Sequence, residues 1–508
     1  MMRHPILYLI VFTVLLAAPL TNASRSQAAL LRKFVMSRAR STDDRPTEND
    51  PWADPVGSFG HLPTRYENPS GSKAADRIAA LPGQPPRVGF AQYAGYVTVD
   101  EGHGRELFYY FVESPDNAAS KPLLLWLNGG VCSSLGIGAM QEIGPFRVNP
   151  DGKTLSRNNH AWNNVANVIF VELMAGAGFS YSNTKSDYEK GGDQKTALDA
   201  YIFMLHWLER RPANGLKPNL HPTQPKATRF PKYKGRDFYI GGEYYAGHHA
   251  PQLATAIVAT RKITGENPMN LKGIIVGNPK LERNNGNLEF MWSHGVISDE
   301  VYAKITKLVL SCPDCEEREF DEGNINYFNM YAPICIQSPN ETSHSSSYFP
   351  SYDPCFNDYV KVYFNNLEVQ KAMHARMNTN WSLCAKMSWN EHEESMTMVP
   401  TLSWLVETGL RVWLYSGDMS ILGSLTATRH AIKDLKLAVT KPWCPWYTPA
   451  NEVGGFIQQY EGGFTFASVR GAGCGAASFQ PERSLVIFYS FLKDKLPPMA
   501  PADVHENI

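Results

Sequence analysis

Short apolar runs bounded by turn residues recur along the chain: Leu123 to Leu127, Val168 to Leu173, Phe238 to Ile240, Gly273 to Val276, Val412 to Tyr415 and Phe466 to Val469. Runs of this length without polar alternation read as strands buried on both faces, the pattern of a mainly parallel sheet covered by helices. Helical periods lie between them. From Thr196 to Glu209, the residues Leu198, Tyr201, Ile202, Leu205 and Leu208 recur at spacings of three and four, which predicts one apolar helix face. Ahead of the first buried run the pattern changes. Tyr96-Val-Thr-Val99 alternates, Glu101-Gly-His-Gly104 turns and Leu107 to Val112 follows, a hairpin signature. The expected fold class is α/β, with a mainly parallel central sheet flanked by helices.

The alternation breaks between about Glu282 and Trp389, a stretch that holds five of the eight cysteines and the Ser-rich tract Ser343 to Ser347. It reads as a Cys-rich insertion or lid. A second interruption, Arg211 to Arg229, is rich in proline and lacks an apolar period, so it is expected as an exposed extra loop. At the N-terminus, Arg3 and His4 precede the apolar run Ile6 to Leu16, and small residues follow through Ala28. That layout predicts a signal peptide over 1–29 rather than an anchor, because Ile6 to Leu20 falls short of the ~20 residues a span needs. Residues 30–77 read as a flexible segment, 78–496 as the folded domain and 497–508 as a tail.

Composition narrows the function classes. The 508 residues carry 48 Lys+Arg against 49 Asp+Glu, a formal charge of -1, so no global positive field exists to hold nucleic acid. A hydrophobic content of 43% with 19% charged residues is that of a globular chain with a sizeable core. Secretion, to the cell exterior or the vacuole, would put the cysteines in an oxidising compartment and make Asn340-Glu-Thr and Asn380-Trp-Ser usable glycosylation acceptors. No membrane span is expected in the mature chain. No spaced His/Cys/carboxylate set has metal-site character, and nothing calls for a cofactor.

Five motifs carry the chemistry: Trp126-Leu-Asn-Gly-Gly-Val-Cys-Ser-Ser134, Gln141-Glu-Ile-Gly-Pro-Phe-Arg147, Ala175-Gly-Ala-Gly-Phe-Ser-Tyr-Ser182, Phe238-Tyr-Ile-Gly-Gly-Glu-Tyr-Tyr-Ala-Gly247 and Val469-Arg-Gly-Ala-Gly473. In type and order they resemble the serine carboxypeptidases, most nearly the plant serine carboxypeptidase-like group, from about Ile78 to Leu496. The resemblance implies an α/β-hydrolase fold. For active members it implies release of C-terminal residues from peptides through an acyl-enzyme; some plant relatives transfer acyl groups instead.

That chemistry needs a nucleophilic Ser, a His base and an orienting Asp. The resemblance places them at Tyr244, Cys474 and Ser420, so all three are substituted. Gly242-Glu-Tyr-Tyr-Ala-Gly247 stands where the family has Gly-Glu-Ser-Tyr-Ala-Gly. Gly417-Asp-Met-Ser420 replaces Gly-Asp-x-Asp, and Gly473-Cys474 replaces Gly-His. A Cys474 thiolate served by His248 or His249 is the remaining catalytic arrangement, disfavoured because adjacent helical residues diverge by ~100°.

The resemblance assigns the substrate's terminal carboxylate to Asn128, Gly129, Glu142 and Glu243, and the oxyanion donors to the backbone N–H groups of Gly130 and Tyr245. Val131 stands alone where the family has Pro-Gly, which endangers those donors. The same resemblance suggests disulfides Cys132 with Cys384 and Cys335 with Cys355, and the pair Cys312 and Cys315 bonded to each other or rearranged; Cys444 and Cys474 lie outside this scheme. Two functions follow: a catalytically impaired family member that binds a peptide C-terminus or an acyl-type small molecule, or a working hydrolase or acyltransferase with an unrecognised catalytic arrangement.

Overall fold

The computed structural model describes Leu62 and residues 72–208, 229–282, 286–311, 325–336 and 351–501. The predicted signal peptide, most of the predicted flexible segment, the extra loop up to residue 228, Cys312, Cys315 and Asn340 lie outside the described residues.

Eleven strands form one sheet. In chain order they are β1 (Arg77–Ile78), β2 (Gln92–Asp100), β3 (Arg105–Val112), β4 (Leu123–Asn128), β5 (Asn167–Val171), β6 (Phe238–Glu243), β7 (Leu271–Gly277), β8 (Arg411–Gly417), β9 (Val439–Tyr447), β10 (Val453–Tyr460) and β11 (Thr465–Val469). Their spatial order is β1-β2-β3-β5-β4-β6-β7-β8-β11-β10-β9. The central strands β5, β4, β6, β7, β8 and β11 run parallel, and antiparallel strands close both flanks.

The parallel centre is buried on both faces, as its uninterrupted apolar runs require. Leu123, Leu125 and Leu127 enter one core while Leu124 and Trp126 enter the other. Val412 and Leu414 separate from Trp413 and Tyr415 in the same way. This is the two-residue period of a strand with helices on each side. Each fully buried side chain of this size contributes roughly 1.5–3 kcal/mol, so the central strands fix the register of the sheet.

Helices α1 (Asp193–Leu208), α2 (Ala246–Thr264), α3 (Val399–Glu407) and α4 (Leu425–Asp434) contribute to the first core, and α5 (Pro481–Lys493) to the second. The helix predicted from Thr196 is α1, but its buried face is not the expected one. Leu198 is 40% exposed, while Ala197, Ala200, Tyr201, Phe203, Met204, Leu205, Trp207 and Leu208 are buried. The helix packs against both β2 and α2, so two faces are covered and a single stripe of spacings misplaces the outward side.

The insertion brings helix Gly286–Ser293 against α4 and helix Asp299–Ser311, and the segment 325–336 against the loops after β8 and β11. Leu288, Phe290, Met291, Ile297, Ile305 and Met330 make a small core of their own, which Ile421 joins from the loop after β8. Disulfides join Cys132 to Cys384 and Cys335 to Cys355, whereas Cys444 and Cys474 are free thiols. Disulfides of this kind are consistent with a chain that folds in the secretory pathway.

Candidate active site

The site is built where β6 ends and α2 begins. Glu243 is the last residue of β6, Tyr244 takes φ 56° and Tyr245 opens α2. A left-handed turn of one residue between a strand and a helix is the nucleophile elbow, which projects its central residue from the carboxyl edge of the sheet. Here that residue is a half-buried Tyr held in a region that costs a non-glycine residue about 1–2 kcal/mol. The amide of Tyr244 donates to Gly277 O, and its carbonyl accepts from Lys280 and Gly247, which fixes the turn against β7. A Cβ on Gly242 would lie 2.3 Å from Leu127 O, so the close approach of β4 to the elbow requires glycine there.

Gly129 and Gly130 follow β4 beside this turn. A Cβ on Gly129 would sit 2.1 Å from the Tyr245 amide nitrogen, and Gly130 adopts φ 72°. The loop after β4 therefore runs past the α2 N-terminus even with the single Val131 in place of two residues. Val131 O accepts from Ala385, and Ser133 N donates to Leu383 O, so the loop is tied to the segment that carries Cys384.

The four residues assigned to carboxylate binding come together. Asn128 Nδ2 donates to Glu142 Oε2 at 2.8 Å, and Asn128 Oδ1 accepts from Trp126 Nε1 at 2.9 Å. Glu243 Oε1 accepts from the Gly475 amide at 2.7 Å, and Oε2 from the Tyr415 hydroxyl at 3.1 Å. The Cys474 thiol lies beside Glu243. Asn128, Glu142, Glu243 and Cys474 are all buried. Burial, opposed by the bonds from Asn128 and Trp126, pushes the Glu142 carboxyl up to about 7. Burial and then the charge of Glu142 push Glu243 up to about 8. Both carboxyls are thus neutral in acid, and a neutral carboxyl can donate to an incoming carboxylate.

Cys474 is held by its own surroundings in the protonated form. Burial raises its thiol well above the ordinary value, and Glu243 and Glu142 add to the rise. Its amide donates to Phe328 O, so the insertion pins the loop that bears it. His248 does not serve it: Nδ1 pairs with Asp193 Oδ2 at 2.8 Å. Asp193 also accepts from Tyr245 Oη, Gln252 Nε2 and Trp389 Nε1. His249 packs edge-on against Tyr245, and burial lowers its pKa to about 4.

Ser420 sits in the loop after β8, fully buried, with Oγ donating to Leu422 O at 2.5 Å. The neighbouring Asp418 accepts from the Gly471 amide at 2.6 Å, and burial raises its carboxyl to about 6. Met419 N donates to Ala472 O, which joins the Ser420 and Cys474 loops, and Tyr327 O accepts from Ile421 and Leu422. Sequence reasoning did not include Tyr415, Gly475 or Trp126 in the site. Tyr415 closes a predicted strand and Gly475 follows Cys474, so their positions were visible although their contacts were not.

A glycine-flanked elbow on the carboxyl edge of a sheet with a parallel centre defines an α/β hydrolase. A serine carboxypeptidase family model matches residues 82–218 and 227–494, leaving a gap inside the extra loop. Serine carboxypeptidase-like 40 of Arabidopsis thaliana is 43% identical over 447 residues, covering 84% of each chain. Serine carboxypeptidase 24 of the same plant is 40% identical over 473 residues, covering 85% of this chain and 96% of its own. In fold, the chain is similar to Kex1(Δ)p, a prohormone-processing carboxypeptidase from Saccharomyces cerevisiae, with a TM-score of 0.66 at 20% identity over 84% of this chain and 97% of that one. The chain belongs to the serine carboxypeptidase family.

Among the described residues no group of three or more His, Cys, Asp or Glu is placed to hold a metal ion, and no helix is long and apolar enough to cross a membrane.

Proposed function

We propose that this protein is a non-catalytic serine carboxypeptidase homologue of the secretory pathway that binds a carboxylate, that of a peptide C-terminus, at Asn128, Gly129, Glu142 and Glu243. The single observation that carries the reading is the buried Cys474, which stands where the family places its base and precedes the Gly475 amide that donates to Glu243. With a phenol at the elbow and Ser420 committed to Leu422 O, no group can take a proton from a nucleophile. Gly129, next to Gly130, lies against the Tyr245 amide, in keeping with backbone donors at this turn, but donors without a nucleophile stabilise nothing that forms. Asn380 is exposed, in keeping with a glycosylation acceptor.

The test is a peptide-binding and turnover measurement on the mature chain at pH 5 and pH 8. A peptide with a free C-terminus should bind at least about tenfold more tightly at pH 5, because the two glutamates are then neutral, and its amidated counterpart should show no such preference. No C-terminal residue should be released and a fluorophosphonate should label nothing. Release or labelling that survives Tyr244→Ala but not Cys474→Ala would instead establish a cysteine-based hydrolase or acyltransferase.

A further inference from the structure

A cavity of about 600 Å³ opens at the end of the sheet opposite the elbow, where Pro122 and Asp237 lead into β4 and β6. Its wall carries four cationic side chains from separate elements: Lys121 before β4, Lys232 and Arg236 before β6, and Lys493 at the end of α5. The sole carboxylate among its lining residues, Asp237, accepts from Asn270 Nδ2 at 3.1 Å and lies 3.8 Å from Lys272, so part of its charge is already matched outside the cavity. Lys121 lies 3.6 Å from Asp116 and Lys232 3.2 Å from Glu113, so the excess positive charge of the wall rests chiefly on Arg236 and Lys493.

The wall is also preformed. Arg236 Nη1 donates to the carbonyls of Ala118 and Lys121 at 3.0 and 3.1 Å, and Asn167 Nδ2 to those of Ala118, Lys121 and Pro122 at 3.1–3.2 Å. These bonds draw the loop's acceptors toward protein donors, and Arg236 is further held over the Tyr233 ring at 5.0 Å. Val165, Tyr239, Tyr489 and Leu492 supply an apolar and aromatic surface between the cations. A concave site of this size with an apolar floor and a few convergent charges is built like a small-molecule pocket. Lysine and arginine together match the oxygens of a tetrahedral oxyanion.

We propose that this cavity binds a phosphate monoester with a ring or short apolar group, the phosphoryl oxygens meeting Lys121, Arg236 and Lys493 and the organic part lying on Tyr489 and Leu492. The site is remote from the elbow, so it stands whether or not that site binds carboxylates. Phenyl phosphate, inorganic phosphate and vesicles of phosphatidylcholine with phosphatidic acid are the probes, titrated into the full chain by calorimetry. Phenyl phosphate should bind more tightly than inorganic phosphate and should weaken as chloride is raised, because exposed charges are screened. Lys121→Gln with Lys493→Gln should weaken it at least about tenfold, since two of the three cations meeting the phosphoryl oxygens are then neutral. Asp237→Asn should tighten it, which keeps the proposal open to test even if the double variant folds poorly. Equal binding to wild type and double variant, no heat with phenyl phosphate, or binding to the vesicles alone would each overturn it.

Discussion

The carboxylate-receptor half of the site and its catalytic half differ in how their side chains are spent. Glu243, Asn128 and Glu142 sit in a network in which each polar atom named has a partner: Gly475 and Tyr415 for Glu243, and Trp126 between its neighbours for Asn128. Tyr244 packs against the first core, Ser420 turns to its own loop and Cys474 lies beside Glu243. The elbow keeps its left-handed turn although it carries a phenol. On the proposed reading, the turn and the Asn128–Glu142–Glu243 network are kept without the residue types that acyl transfer needs, and Cys474 lies beside that network.

The largest effect should come from Glu243→Ala. It leaves the Gly475 amide and the Tyr415 hydroxyl as buried donors without their acceptor, a loss of about 2–6 kcal/mol when unpartnered donors cost ~1–3 kcal/mol each. Ser420→Ala removes one bond to a carbonyl and should cost about 1 kcal/mol. Urea unfolding of both variants measures the contrast. Equal losses would mean that the receptor is no better knit than the vacated acid position.

Next comes the dependence on pH. Glu142 at about 7, Glu243 at about 8 and the buried Glu172 at about 8 all lie above the value they would have in an unfolded chain. Between pH 4.5 and 8 the folded protein holds more protons than the unfolded one, so these groups stabilise it fully below pH 4.5 and that contribution is lost as pH rises through 7–8. The stability these groups contribute should fall between pH 5 and pH 8, a single carboxyl at about 8 accounting for roughly 4 kcal/mol at ~1.4 kcal/mol per pH unit. Glu243→Gln should flatten the fall, because an amide does not ionise. A stability that rises across this range would show the receptor carboxyls to be charged in the folded state. Asp187 and Glu113, which paired cations hold below the usual carboxylate range, contribute stability already present above pH 5 and do not enter this window.

Much of the fold is legible in the sequence because the central strands are buried on both faces, so Leu123 to Leu127 or Val412 to Tyr415 needs no period to be recognised. The flanking strands β9 and β10 are not, since Pro442 and Pro445 interrupt the first and its register slips between Lys441 and Cys444. Leu198 misleads because a helix covered on two sides has no single apolar stripe. In the site, the motifs place Tyr244, Ser420 and Cys474 and expose their substitution. They do not convey that Cys474 lies beside Glu243, an approach across 231 residues of chain made by two loops meeting at the sheet's edge. Nor does the pair His248 and His249 reveal, without Asp193 opposite, which of the two is engaged.

The smallest predicted effect isolates the elbow from everything packed on it. Tyr244→Gly and Tyr244→Ala both lose the ring, which packs against the first core, so their difference reports the backbone alone. At φ 56° alanine keeps the clash between Cβ and the following carbonyl that glycine lacks. The glycine variant should therefore be more stable than the alanine variant by about 1 kcal/mol, although glycine also has more unfolded-state entropy to lose. In an ordinary helical position the order is reversed by about the same amount. Thermal unfolding of the two variants decides the sign. Alanine at least as stable as glycine would mean that the turn relaxes in solution once the ring is gone, so that the left-handed elbow depends on the packing of Tyr244 and not on the backbone around it.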